Sequence, residues 1–104
     1  MENKNQFIEI LLKNYYKFNW TRVNFEYSTD IGDYHVILDS AKTGVVLRVN
    51  TTNKDGEFYQ CSVYADDNES VRTIYDKVFG LWNKQREESF WNCAMMSLAE
   101  VVNR

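Results

Sequence analysis

The sequence predicts an α+β protein: an N-terminal helix, an antiparallel meander sheet of three to four strands, and two C-terminal helices packed on one sheet face. Apolar residues recur with a helical period at the start of the chain, follow strand-like patterns from about residue 22 to 64, and regain the helical period from residue 71. The strand-like segments are joined by short connections, which favour antiparallel neighbours because a parallel crossover needs about a dozen residues or more.

The length and charge of the chain limit what it can do. Its 104 residues fit one domain, residues 1–104, and its formal net charge of −3 comes from an acidic excess in the second half. Without a basic patch we expect no direct nucleic-acid binding, and a basic protein partner is favoured. No signal peptide and no membrane-spanning apolar run is evident, so we expect no membrane contact and a cytoplasmic setting.

The first half predicts one helix followed by three strands. The helical positions are Phe7, Ile8, Leu11, Leu12, Tyr15 and Phe18. Alternation over residues 22–28 predicts a strand with one wet face, and residues 34–39 and 44–50 predict two more, the last apolar enough to be central.

A hairpin and a fourth strand come next. The run Asn53-Lys54-Asp55-Gly56 predicts a tight turn, because glycine tolerates the positive φ that such turns need. Residues 57–64 then supply the last strand of the predicted sheet.

Two apolar stripes predict the C-terminal helices. The first consists of Val71, Ile74, Tyr75, Val78, Phe79 and Trp82, in a helix expected to end between residues 83 and 86. Ser89 is expected to cap a third helix with the stripe Phe90, Trp91, Ala94, Met95, Leu98, Ala99 and Val102. Both stripes are predicted to be core, so Phe79→Ala should cost about 3–5 kcal/mol.

No residue pattern names a reaction. His35 is the only histidine and has no nucleophile at a recognisable motif spacing. Cys61 and Cys93 lack metal or redox spacing and are expected to be buried thiols, while Asp30 and Asp33 lack the pattern of a calcium loop. We therefore expect a protein that is not an enzyme and has no cofactor and no metal.

Carboxylates concentrate at three places in the second half. They are Asp55 and Glu57 in the hairpin, Asp66, Asp67 and Glu69 before the second helix, and Glu87 and Glu88 between the last helices. An acidic residue at a helix start often serves only as a cap or as a complement to the helix dipole. Three adjacent carboxylates exceed that need, and we expect the three places to share one edge of the fold.

Residues 45–98 carry a resemblance to a known family. Leu47-Arg48-Val49-Asn50 closes a strand, an Asp55-Gly56 hairpin precedes Tyr59, and Asn68-Glu69-Ser70 opens a helix that continues through Phe79 and Trp82-Asn83 to Phe90. In order and spacing this stretch resembles the type II-A anti-CRISPR proteins, small phage-encoded DNA mimics that inhibit the RNA-guided type II CRISPR nuclease. The order of elements is similar to that family as well.

The resemblance implies a function, a setting and a contact surface. It implies an inhibitor, encoded by a phage or prophage and acting in the bacterial cytoplasm, that fills the basic cleft where the nuclease reads the short duplex signal beside its target. The contacts carried over by position are Asn53, Asp55, Gly56, Glu57, Asp66, Asp67, Glu69, Glu87 and Glu88.

Two departures from the family leave other mechanisms open. Lys84 and Arg86 lie beside Glu87 and Glu88, and four predicted strands replace the family's three. Interference with guide loading is therefore an alternative to blocked DNA recognition. A second alternative is an immunity protein that blocks a basic toxin nuclease, which the charge alone would also suit.

Overall fold

An N-terminal helix, a five-stranded antiparallel sheet and one long C-terminal helix make up the computed structural model, which describes residues 2–104. The α+β class, the N-terminal helix and the antiparallel sheet are as predicted. In chain order the elements are α1 (Glu2–Asn14), a 3₁₀ turn (Tyr15–Lys17), β1 (Thr21–Val23), β2 (Glu26–Ile31), β3 (Tyr34–Ala41), β4 (Gly44–Thr52), β5 (Phe58–Tyr64) and α2 (Glu69–Val102).

The sheet is a meander in which each strand pairs with the next one along the chain. Its register aligns Tyr27 with Leu38, Leu38 with Leu47, and Leu47 with Val63. Because side chains on paired residues share a face, these four buried residues form one row across the inner face of the sheet.

The sheet has one more strand than the sequence predicted. Residues 22–28 were expected to form one strand, but the chain reverses at Asn24, whose φ of 56° is in the left-handed region. Asparagine tolerates that region better than most residues, so a tight turn forms where the alternation of Val23, Phe25 and Tyr27 indicates a continuous strand. Val23 instead pairs with Glu26 across the turn.

Both helices contribute to one core on the inner face. Ile8 and Leu11 of α1 are buried there, together with Val71, Ile74 and Val78 of α2. The other face of the sheet carries an ion-pair network rather than a helix.

The prediction of two C-terminal helices is wrong, because α2 is continuous over 34 residues. The expected break, residues 83–89, reads Asn-Lys-Gln-Arg-Glu-Glu-Ser and contains no proline or glycine. Lysine, glutamine, arginine and glutamate are good helix formers, and a break would leave backbone groups unpaired at both new ends. Ser89 therefore lies inside the helix and caps nothing.

Only the first half of α2 packs on the sheet, so the second predicted stripe is not core. Trp82 is half-buried and contacts the core, whereas Trp91 is 58% exposed. The exposed apolar residues of the second half are Phe90, Trp91, Met95, Met96, Leu98, Val101 and Val102. The expectation of buried thiols is also wrong, since Cys61 and Cys93 are both exposed.

A cluster of aromatic residues fastens α2 to β1 and β2. The buried ring of Tyr27 meets Tyr75 edge to face at 5.4 Å and Trp82 at 6.3 Å between ring centroids. The Arg22 guanidinium lies over the Trp82 ring at 5.0 Å, and the Tyr75 hydroxyl donates to the Phe25 carbonyl at 3.1 Å. Such contacts stabilise a helix against a sheet beyond the apolar area they bury.

Two substitutions in α2 test where the core ends. Ile74 is fully buried, so Ile74→Ala should lower the free energy of unfolding by about 2–5 kcal/mol. Phe79 is 45% exposed, which corrects its assignment to the core, and Phe79→Ala should cost less than about 1.5 kcal/mol. Urea denaturation of both variants measures the difference, and equal losses would contradict this boundary.

The aromatic cluster also predicts a loss of stability in alkali. Burial raises the pKa of Tyr27 and Tyr75 above the ordinary 10.0, with Arg22 opposing the shift. A raised pKa means that the folded state favours the neutral phenol, so this stabilisation is complete below pH 10 and is lost as the pH rises through the folded-state pKa. We expect the free energy of unfolding to fall above about pH 10, measured by urea denaturation with tyrosinate absorbance.

Tyr27→Phe is the matched control for the alkaline transition. The Tyr27 hydroxyl is buried without a hydrogen-bond partner in residues 2–104, so its removal should leave stability near neutral pH unchanged or raised. The variant should lose less stability above about pH 10 than the parent does. An equal loss in both proteins would assign the alkaline transition to other groups.

Candidate functional site

The structure offers acidic surfaces but no metal-binding or membrane-spanning element in the described chain. Within residues 2–104 no group of three or more His, Cys, Asp and Glu side chains is arranged to hold a metal ion. No helix of this stretch is both long and apolar enough to cross a membrane. His35 contacts a carboxylate, with its Nδ1 at 2.7 Å from Oδ1 of Asp30.

The predicted hairpin residues form a hydrogen-bonded turn between β4 and β5. The Asn53 side-chain oxygen accepts from the backbone N–H of Asp55 at 3.0 Å and of Glu57 at 2.9 Å. Gly56, with a φ of 82°, donates its N–H to the Asn53 carbonyl at 3.1 Å. Asn53 and Gly56 therefore have structural roles that position the acidic residues of the turn.

The two hairpin carboxylates differ in their surroundings. Glu57 accepts from the Asn53 amide at 3.3 Å and from the Tyr59 hydroxyl at 3.0 Å. The Asp55 side chain is exposed and takes part in no hydrogen bond or ion pair of residues 2–104. Asp55 is thus available to a partner, while Glu57 is held in place by its neighbours.

The β2–β3 turn brings two more carboxylates to the same end of the sheet. Asp30 lies near the end of β2 and Asp33 lies in the turn itself, where its carbonyl accepts from the Thr51 hydroxyl of β4 at 2.8 Å. We call the four exposed carboxylates Asp30, Asp33, Asp55 and Glu57 the hairpin end. Asp30 and Asp33 are not among the contact residues predicted from the sequence, although alternate turns of a meander always lie at the same end.

The α2 start, defined as Asp66, Asp67 and Glu69, lies at the opposite end of β5 from the hairpin end. The seven residues of β5 separate the two by roughly 23 Å. Asn68 is the helix cap, because its side-chain oxygen accepts from the Ser70 N–H at 3.0 Å. Capping therefore does not explain the exposed carboxylates of Asp66 and Asp67.

Glu87 and Glu88 form a third and separate place. They lie in the middle of α2, about 27 Å along the helix from Glu69. Both are exposed and line a shallow depression that Lys84, Trp91 and Asn92 complete. The single acidic edge expected from the sequence is therefore wrong: the nine predicted contact residues fall at three places.

The outer face of the sheet uses its charges internally. The Arg48 guanidinium is 2.8 Å from the Glu26 carboxylate and 3.5 Å from the Asp39 carboxylate, and all three side chains are partly buried. The single guanidinium compensates one of the two carboxylate charges and holds both carboxylates in ion pairs. The carboxylates of the sheet outside this network are those of the hairpin end.

Comparison of the chain with family models, with curated proteins and with solved structures finds no match.

Asn53 is the residue on which the hairpin end depends. Asn53→Ala removes a side chain that accepts two backbone hydrogen bonds, and we expect the free energy of unfolding to fall by about 1–3 kcal/mol. Lys54→Ala, in the same turn, should change it by less than about 0.5 kcal/mol. Urea denaturation and amide hydrogen exchange at residues 53–57 measure both, and equal protection in the two variants would contradict the role of Asn53.

Proposed function

We propose that this protein is an inhibitor that binds a type II RNA-guided DNA nuclease through the hairpin end and has no catalytic activity of its own. Binding there would block recognition of target DNA or the loading of the guide. The observation that carries the proposal is that four exposed carboxylates from two hydrogen-bonded hairpins share one end of the sheet. Lys54 is the one basic residue within the two turns.

The chemistry of the hairpin end suits a basic nucleic-acid-binding cleft. Duplex DNA presents closely spaced negative charges, and the arginines that read base edges can also bind carboxylates in a bidentate manner. Adjacent hairpins stand roughly 10 Å apart across the sheet, so one basic cleft can contact both turns. Complementary charge of this kind speeds association and weakens as salt increases.

The other acidic places have secondary parts in this proposal. The α2 start carries two exposed carboxylates that do not cap the helix. In this proposal it is a second contact, in a cleft that extends roughly 23 Å from the hairpin end. Glu87 and Glu88 lie among Lys84 and Arg86, which reduces their attraction for a basic partner. The resemblance supplies the identity of the target, and the charge of the hairpin end supports a basic one.

An inhibition assay tests the proposal. The protein is mixed with purified type II nuclease and guide RNA before target DNA is added, and cleavage is measured at two salt concentrations. The double variant Asp33→Lys/Asp55→Lys should require at least about tenfold more protein for the same inhibition, because it reverses two of the four hairpin-end charges. The parent should inhibit less well at high salt.

The double variant Asp66→Lys/Asp67→Lys is the matched control. It raises the formal net charge of −3 by the same four units but leaves the hairpin end intact, so we expect a smaller loss of inhibition. Unimpeded cleavage by nucleases from several bacterial hosts would contradict the proposal. Capture of a basic toxin nuclease from host lysate, in place of the CRISPR nuclease, would favour an immunity protein.

A further inference from the structure

The second half of α2 carries an apolar stripe that nothing in residues 2–104 covers. Its members are Phe90, Trp91, Ala94, Met95, Leu98, Val101 and Val102, and we call it the distal stripe. Trp91 is 58% exposed and Leu98 is 57% exposed, values expected for polar surface rather than for large apolar residues. A contiguous apolar surface built from several large exposed side chains usually marks an interaction site.

The distal stripe faces away from the body of its own chain. Trp82 contacts the core, and Trp91 follows it by nine residues, which is about two and a half helical turns. Trp91 therefore stands on the opposite side of α2 from Trp82. Because the helix is continuous, the distal stripe cannot pack on the sheet unless α2 bends or breaks. The molecule is accordingly elongated, with a maximum extent of 62 Å.

We propose that the distal stripe pairs with the same stripe of a second copy, forming an antiparallel two-helix homodimer. A twofold axis makes such an interface self-complementary, so one apolar stripe per chain is enough. The exposed fractions of these side chains allow at most roughly 600–700 Å² to be buried per copy, or about 1,300 Å² in total, which reaches the lower end of the range of stable protein interfaces. In each copy the sheet packs against the side of α2 opposite the distal stripe, which places it on the outer side of the helix pair.

The order of side chains along the stripe favours the antiparallel arrangement. With the pair centred near residue 96, the aromatic Phe90 and Trp91 of one copy face the aliphatic Val101 and Val102 of the other. A parallel pair would instead set Trp91 against Trp91 and Ala94 against Ala94. Alternating large and small side chains fill the space between two helices better than like against like.

Charge favours the same arrangement. In the antiparallel pair, Glu87 and Glu88 of one copy lie at the level of Arg104 of the other. In a parallel pair they would lie beside Glu87 and Glu88 of the other copy. Like charges at adjacent positions oppose association. The six charged side chains after Trp82 are three acidic and three basic, Lys84, Arg86, Glu87, Glu88, Glu100 and Arg104, so the distal segments do not repel each other through net charge.

Sedimentation equilibrium of the full chain tests the dimer. The chain has a mass of 12.4 kDa, and we expect a species of twice that mass at micromolar concentrations, which dissociates on dilution. Leu98→Glu places a charge in the centre of the stripe and should weaken the dimer at least about tenfold. Circular dichroism confirms that the variant is folded, as expected for a residue outside the core.

Met96→Glu is the matched control. Met96 is 73% exposed and follows Trp82 by about four full turns, so it lies on the side opposite the distal stripe. This variant should dimerise as the parent does. A parent protein that stays monomeric at about 100 μM would overturn the proposal, and so would equal weakening of the dimer by Leu98→Glu and Met96→Glu. If the parent is monomeric, the distal stripe is covered by another protein or by a kink in α2.

Disulfide trapping tests the orientation. In a background with Cys61→Ser and Cys93→Ser, mixed Ala94→Cys and Leu98→Cys chains should cross-link to each other, because these positions face each other in the antiparallel pair. Efficient cross-linking of Ala94→Cys chains alone would show a parallel pair and overturn the antiparallel arrangement. Neither result bears on nuclease inhibition, so this proposal and the proposed function fail independently.

Discussion

The packing of the first half of α2 across the inner face of the sheet is the contact on which the rest of the structure depends. Val71, Ile74 and Val78 are fully buried, and they cover the row that contains Leu38 and Leu47. A single five-stranded meander cannot exclude water from both of its faces by itself. The helix turns this sheet into a two-layer core, and α1 completes the layer with Ile8 and Leu11.

The meander determines where the charges go. Each reversal of the chain sends the next turn to the other end of the sheet, so the β2–β3 and β4–β5 turns share one end while β5 delivers the chain to α2 at the other. The hairpin end forms because alternate turns of the meander lie at the same end of the sheet. Its four carboxylates share one end of the sheet although they come from sequence positions as far apart as Asp30 and Glu57.

The two proposed contact surfaces occupy different parts of the molecule. The hairpin end belongs to the sheet, whereas the distal stripe lies on the part of α2 beyond Trp82. A dimer joined through α2 would present two hairpin ends on one particle. If a target has two binding sites within reach, binding of the first hairpin end raises the effective concentration of the second hairpin end at the other site.

The sequence by itself determined the class of the fold, because the change from helical to strand period and back is written in the positions of apolar residues. It also determined the β4–β5 turn, where Asn53 and Gly56 act through local hydrogen bonds and local backbone geometry. The extra turn at Asn24 was missed because the alternation of apolar residues continues across it.

Only the tertiary structure decided whether an amphipathic stripe is core. The stripes ending at Trp82 and beginning at Phe90 have the same periodicity, and what separates them is their phase on one unbroken helix. The sequence predicted a break that would let both stripes face the sheet. Since residues 83–89 lack a helix-breaking residue, the second stripe faces outward, and the acidic residues between the stripes are kept away from the hairpin end.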